Sequence, residues 1–93
     1  RLEQGNLVLL PPEVLAEVIN MDYTGRMIFR LTNRSNRLSI YAGVLEFIAP
    51  RDTIVIPFHL MQELQANEDE SVIIELSRLP KAQSVILKAD TYR

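Results

Sequence analysis

The sequence predicts a mainly β domain, a small closed barrel with two short helices, and three features of the chain lead there. An apolar run that ends in proline and then takes on a helical period occurs twice, at Asn6–Ile19 and at Asp52–Leu64. Strand patterns outnumber helical ones, about six to two. Each helix also falls between strands rather than in a terminal bundle. Helices this short cannot cover both faces of an open parallel sheet, whereas a sheet closed on itself needs only its ends plugged. The repeat implies two interlocked halves with pseudo-twofold symmetry, and among small barrels the double-psi architecture has that symmetry.

Taken in order, Asn6 to Leu10 is apolar without alternation and fits a strand buried on both faces. Pro11 and Pro12 open a helix to about Asn20, because proline's missing N–H costs nothing in a first turn. Its apolar face reads as Leu15, Val18 and Ile19. Asp22-Tyr23-Thr24-Gly25 is turn material. The next stretch alternates, with Met27, Phe29 and Leu31 on one face and Arg26, Ile28, Arg30 and Thr32 on the other, as in a half-buried strand. Asn33 to Arg37 is a polar loop. A strand runs from Leu38 to Tyr41, is bulged or interrupted near Gly43, and continues from Val44 to Ile48.

Pro50-Arg51-Asp52 turns into the second unit, where Ile54 to Ile56 is a strand and Pro57 opens a helix. Phe58, Leu60, Met61 and Leu64 mark the buried face of that helix. Asn67 to Glu70 is an acidic turn, Ser71 to Leu76 a strand, Leu79 to Ala82 a turn and Ser84 to Lys88 the last strand. No linker or low-complexity tract interrupts the chain, so residues 1–93 read as a single domain.

The bulk properties exclude several classes. At 93 residues the chain has room for one core with a small stability margin. It has no cysteine, which rules out disulfides and thiolate metal sites and favours a reducing compartment. A net charge of −2 lacks the basic surplus of a nucleic-acid binder. No apolar run approaches the roughly 18 residues of a membrane-spanning helix, so membrane insertion is not expected. The start, Arg-Leu-Glu-Gln-Gly, is neither a signal nor a transit peptide, and without an initial Met the chain reads as a piece of a longer or trimmed protein.

Candidate chemistry is sparse. His59 is the only histidine, and Glu63 at i+4 is its only local partner, so a helix-surface or interface role is favoured over a catalytic base. Glu13 and Glu17 form an i, i+4 carboxylate pair that ordinarily marks a solvated helix face. Glu68-Asp69-Glu70 lacks the ligand alternation and glycine of a calcium loop. Arg26, Arg30, Arg34 and Arg37 place four positive charges within twelve residues. They suit an acidic or phosphate-bearing partner, or simply discourage edge pairing. Asn33-Arg34-Ser35 matches the glycosylation sequon but has no secretory signal to support it. Glycine-rich phosphate cradles and a nucleophile elbow are absent, and Asp22, Asp52, Asp69 and Asp90 lack the Asp-Thr/Ser-Gly setting of an aspartic protease. We therefore expect no catalytic residue, no metal site and no cofactor.

Four ordered blocks carry a resemblance: Leu10-Pro11-Pro12 with Leu15; Met27 to Asn33; Gly43 to Ala49; and Ile56-Pro57 with Met61 and Leu64. Together they resemble the N-terminal region of the ubiquitin fusion degradation adaptor family, and Leu79 to Ala82 falls where that family has a similar turn. The chain departs from the family at Gly25-Arg26, where Tyr-Pro is usual, and at His59, where tryptophan is usual. Asp52 and the Asn67 to Glu70 turn replace glycines. These departures mark a distant member or a specialised paralogue.

The resemblance implies a double-psi barrel subdomain of a larger two-part ubiquitin-adaptor domain, its first strand missing or replaced. It implies a non-enzymatic adaptor for ubiquitin or polyubiquitin. Through regions outside this chain, the adaptor would serve the valosin-containing AAA ATPase together with a nuclear-protein-localisation partner. A cytoplasmic location follows, with the nucleus as a second compartment. Recognising ubiquitin needs a modest exposed apolar spot, for which Tyr23, Ile40, Tyr41, Phe58 and His59 are the candidates. The rival readings are the N-terminal partner-binding domain of an AAA ATPase, a double-psi barrel enzyme, and a DNA-binding swapped hairpin.

Overall fold

The computed structural model describes residues 6–20, 27–77 and 84–92. The first half of the chain contains β1 (Leu7–Leu9), α1 (Pro12–Asn20), β2 (Ile28–Asn33) and β3 (Ser39–Glu46). The second contains β4 (Thr53–Pro57), α2 (Phe58–Leu64), β5 (Ser71–Leu76) and β6 (Val85–Tyr92). The strands form a closed barrel in the order β1-β3-β2-β5-β6-β4, consistent with the double-psi architecture. These six strands complete the wall, so no gap is left for a missing first strand. No helix among the described residues is long and apolar enough to cross a membrane.

Exchanging the two halves maps this strand order onto itself. The parallel pair β1–β3 corresponds to the parallel pair β4–β6, with Leu7 opposite Gly43 and Val8 opposite Val44 in one, and Thr53 opposite Lys88 and Ile54 opposite Ala89 in the other. The self-related antiparallel pairs meet at Leu9 opposite Val55 and at Leu31 opposite Ile74. The strand-proline-helix repeat is thus the visible trace of a pseudo-dyad through the barrel.

Alternation places Phe29, Leu31 and Asn33 of β2 inside, opposite Leu76, Ile74 and Val72 of β5. Val8, Leu10, Ile54 and Ile56 are also fully buried, but Leu7, Leu9 and Val55 beside them are only half-buried. β1 is therefore not buried on both faces as its unbroken apolar run suggests: one face meets the core and the other lies on the barrel wall. The helices differ in detail from the sequence reading. Val14 and Val18 form the buried face of α1, Leu15 is only half-buried, and Ile19 is 62% exposed. On α2, Leu60, Met61 and Leu64 are buried, while Phe58 in the first turn is exposed. An end plug touches the barrel along a narrow i, i+4 stripe, so flanking apolar positions stay outside.

Two other strands differ as well. β3 runs unbroken through Gly43 and ends at Glu46, because the Ala49 N–H bonds Leu10 O at 3.1 Å and turns the chain away. The irregularity lies two residues later, where Val8 pairs with Val44 but Leu9 pairs with Glu46. β6 continues past Lys88 to Tyr92, because parallel pairing with β4 extends from Thr53 to Pro57. The expected turns at 22–25 and 79–82 lie outside the described residues.

Asn33 is the one polar side chain buried in the core among the described residues. Its Nδ2 donates to Leu64 O at 2.9 Å and Gln65 O at 3.2 Å, and its Oδ1 accepts the Ser35 N–H at 3.0 Å. A helix leaves its last carbonyls without internal partners, and here the β2–β3 turn supplies them. Asn36 Nδ2 adds a bond to Leu64 O at 3.0 Å. Gln65 closes the helix with φ 51° and ψ 41°, the left-handed geometry usual at a helix end. The sequon asparagine is therefore a buried clamp between turn and helix. Removing it strands those groups: Asn33→Ala is expected to lower unfolding stability by about 1–3 kcal/mol, and Asn36→Ala at its more exposed site by less. Urea midpoints at unchanged slope measure both, and an equal loss from the two would refute the clamp. In the same assay Leu60→Ala should cost about 2–5 kcal/mol. Ile19→Ala should stay within about 0.5 kcal/mol.

Candidate functional site

Because the inside of a closed barrel is filled by packing, the side chains open to solvent lie on its outer wall and at its plugged ends. On β2 the outward residues are Ile28, Arg30 and Thr32. The register sets Arg30 between Tyr41 on β3 and Glu75 on β5. Arg30 Nη2 meets Glu75 Oε1 at 2.8 Å and its Nε reaches the same oxygen at 3.3 Å. The Glu75 carboxylate, through hydrogen bond and charge, raises the guanidinium pKa, and Tyr41 adds a smaller push in the same direction. An ion pair this open to water adds little stability, but it fixes where both side chains point. The next outward row carries Thr32 Oγ1 and Ser39 Oγ, 2.9 Å apart.

The structure separates the residues singled out from the sequence. Tyr23 and Arg26 lie outside the described residues. Ile40 is on the inner side of β3, opposite Leu31, and packs against the core. Tyr41 points outward and is 52% exposed. Neighbouring strand residues face opposite ways, so these two share no surface. Phe58 and His59 are both exposed, in the first turn of α2. The arginines are also dispersed: Arg30 is engaged by Glu75 on the wall, whereas Arg34 and Arg37 sit in the β2–β3 turn, where Arg37 has a φ of 68°.

The remaining polar groups have structural partners or stand apart. Glu13 Oε2 accepts the Asp52 N–H at 3.0 Å and so pins α1 to the turn before β4. A shallow open groove lies there, lined by Pro12, Glu13, Ala49, Arg51 and Asp52. No hydrogen bond joins two of Asp52, Asp69 and Asp90, and no cluster of three or more metal-ligating side chains occurs among the described residues.

Sequence reasoning missed the larger part of the exposed apolar surface. Leu45, Ile48, Ile86 and Tyr92 are all exposed. The β3 irregularity at Leu45 breaks the alternation from which an outward position would be read. Tyr92 was beyond the expected end of the last strand. Its hydroxyl donates to Leu7 O at 3.3 Å, which brings it beside β1.

Comparison with known proteins bears on the family of the chain. The family described as "Ubiquitin fusion degradation protein UFD1, N-terminal subdomain 1" matches residues 1–80. The chain is 33% identical over 87 residues to the ubiquitin fusion degradation protein 1 homolog of Caenorhabditis elegans, covering 94% of the chain and 25% of that protein. It is 31% identical over 91 residues to the human ubiquitin recognition factor in ER-associated degradation protein 1, covering 98% of the chain and 27% of that protein. The Dictyostelium discoideum ubiquitin fusion degradation protein 1 homolog is 33% identical over 90 residues, or 97% of the chain and 27% of that protein. The chain thus spans about a quarter of the length of the curated relatives it matches. With a barrel of the expected kind and a family match over most of its length, the chain belongs to the ubiquitin fusion degradation protein family, as its N-terminal subdomain 1.

Proposed function

We propose that this domain is a non-enzymatic adaptor module that recognises ubiquitin or ubiquitylated clients in ubiquitin-dependent degradation. The family match carries the reading, and relatives named for ubiquitin recognition in ER-associated degradation support it. The chemistry agrees. The described residues present exposed apolar side chains, among them Tyr41, Leu45 and Ile86 on the barrel strands. Such a surface is suited to being held by another protein.

The same reading makes the chain one part of a larger assembly. Through regions outside this chain, the protein would hand clients to the valosin-containing AAA ATPase with a nuclear-protein-localisation partner, in the cytoplasm and the nucleus. One small wall of a barrel gives weak binding, in the high micromolar to millimolar range. Titrating isotope-labelled ubiquitin with this chain should move a contiguous set of ubiquitin amide resonances in fast exchange. If no resonance moves at millimolar chain concentration, this domain is not a ubiquitin reader.

A further inference from the structure

The sequon Asn33-Arg34-Ser35 is a motif that the adaptor reading does not use, and the fold treats its three residues unequally. Arg34 and Ser35 are exposed, whereas Asn33 has no exposed surface. The Asn33 backbone closes the β2–β3 turn, its N–H bonding Leu38 O at 2.8 Å and its carbonyl accepting the Arg37 N–H at 2.8 Å. Pairing with Val72 of β5 fixes its register, so the side chain points inward between Thr32 and Arg34. The amide cannot swing to the surface unless the ladder slips by a residue, and that slip would turn Phe29 and Leu31 out of the core.

Glycosylation of a sequon joins the asparagine Nδ2 to the anomeric carbon of a sugar. The amide gives up one hydrogen as a proton, and the lipid-linked donor gives up its pyrophosphate. In the folded barrel neither hydrogen is spare: the two serve Leu64 O at 2.9 Å and Gln65 O at 3.2 Å. Oδ1 is also committed, to the N–H of Ser35 at 3.0 Å. A sugar on Nδ2 would break one of these bonds and would need the volume filled by the last turn of α2. Leu60 and Leu64 are fully buried, so that turn cannot lift without opening the close-packed core. Asn36, whose Nδ2 also donates to Leu64 O at 3.0 Å, would lose its anchor at the same time.

We propose that glycosylation at Asn33 and closure of this barrel exclude each other. The sequon is an acceptor only while the chain is unfolded, and a chain that takes the sugar at that stage cannot then fold. A chain that closes first is immune, because the acceptor nitrogen is shut inside with both hydrogens bonded. The domain therefore folds only where sugar transfer is absent or slower than folding. This inference stands on the geometry of the clamp and is independent of the adaptor reading.

Two measurements test it. A purified oligosaccharyl transferase with a lipid-linked oligosaccharide should modify a peptide spanning residues 28–39. It should modify the folded chain at least about a hundredfold more slowly, since access requires opening of the clamp. The full chain, synthesised with a single N-acetylglucosamine on Asn33, should show neither native amide dispersion nor a cooperative urea transition. The same sugar on Asn67, an exposed residue in the turn before β5, should leave spectrum and midpoint unchanged. That comparison separates the clamp from a general effect of the sugar. An unmodified peptide, a folded chain modified as fast as the peptide, or an Asn33 glycoform with native spectrum and midpoint would each overturn the inference. Equal loss of the fold in both glycoforms would overturn it as well.

Discussion

The barrel closes where Leu9 meets Val55, the single antiparallel pairing that joins β1 to β4. β1 is only three residues long, yet it holds β3 on one side and β4 on the other. That seam removes both free edges of the sheet, so no row of unpaired backbone groups is left to pair with another chain. It also sets the helices. Each strand at the seam runs into a buried proline, Pro11 or Pro57, which ends the ladder and starts the helix that plugs one end of the barrel. The repeat, the closure and the two plugs are therefore consequences of one crossing of two strand-proline units.

Closure also decides what the domain can offer a partner. Inward positions are consumed by packing, with Leu10, Leu31, Ile54, Ile56, Leu60 and Leu64 fully buried. The outer wall carries no comparable load, since its ion pair and hydroxyl pair lie in water. Wall positions can thus hold partner-binding chemistry without endangering a small core whose margin is narrow. Asn33 is the exception. It brings polarity into the interior, and all its bonds serve to hold the β2–β3 turn against the last carbonyls of α2.

Much of the fold was legible because the barrel writes its symmetry into the chain. The alternation from Met27 to Thr32 reports a wall strand with one face in the core, and the doubled strand-proline-helix unit reports the dyad. What escaped depends on contacts distant in sequence. Nothing local says that the barrel end meets α1 along Val14 and Val18 rather than Leu15 and Ile19. Ala89 to Tyr92 is a strand because β4 lies beside it. Asn33 reads as a loop residue until the end of α2 is placed over it. The candidate surface was harder still. Ile40 and Tyr41 are adjacent and both offer bulk to an exposed apolar spot, and only the register tells which one faces out. Leu45 and Glu46 both reach the wall through an irregularity that no composition reveals.

If the seam is the keystone, it must open only when the whole barrel does. Native-state hydrogen exchange tests this at the Leu10 amide, which donates to Glu46 O at 3.2 Å beside the seam, against the amides of β2 and β5 in the middle of the wall. A cooperative closed barrel predicts the same opening free energy for both sets, equal to that of global unfolding. Exchange at Leu10 more than about tenfold faster than at Leu31 and Ile74, a gap of roughly 1.4 kcal/mol, would mean that β1 opens alone and that the barrel does not depend on its closure.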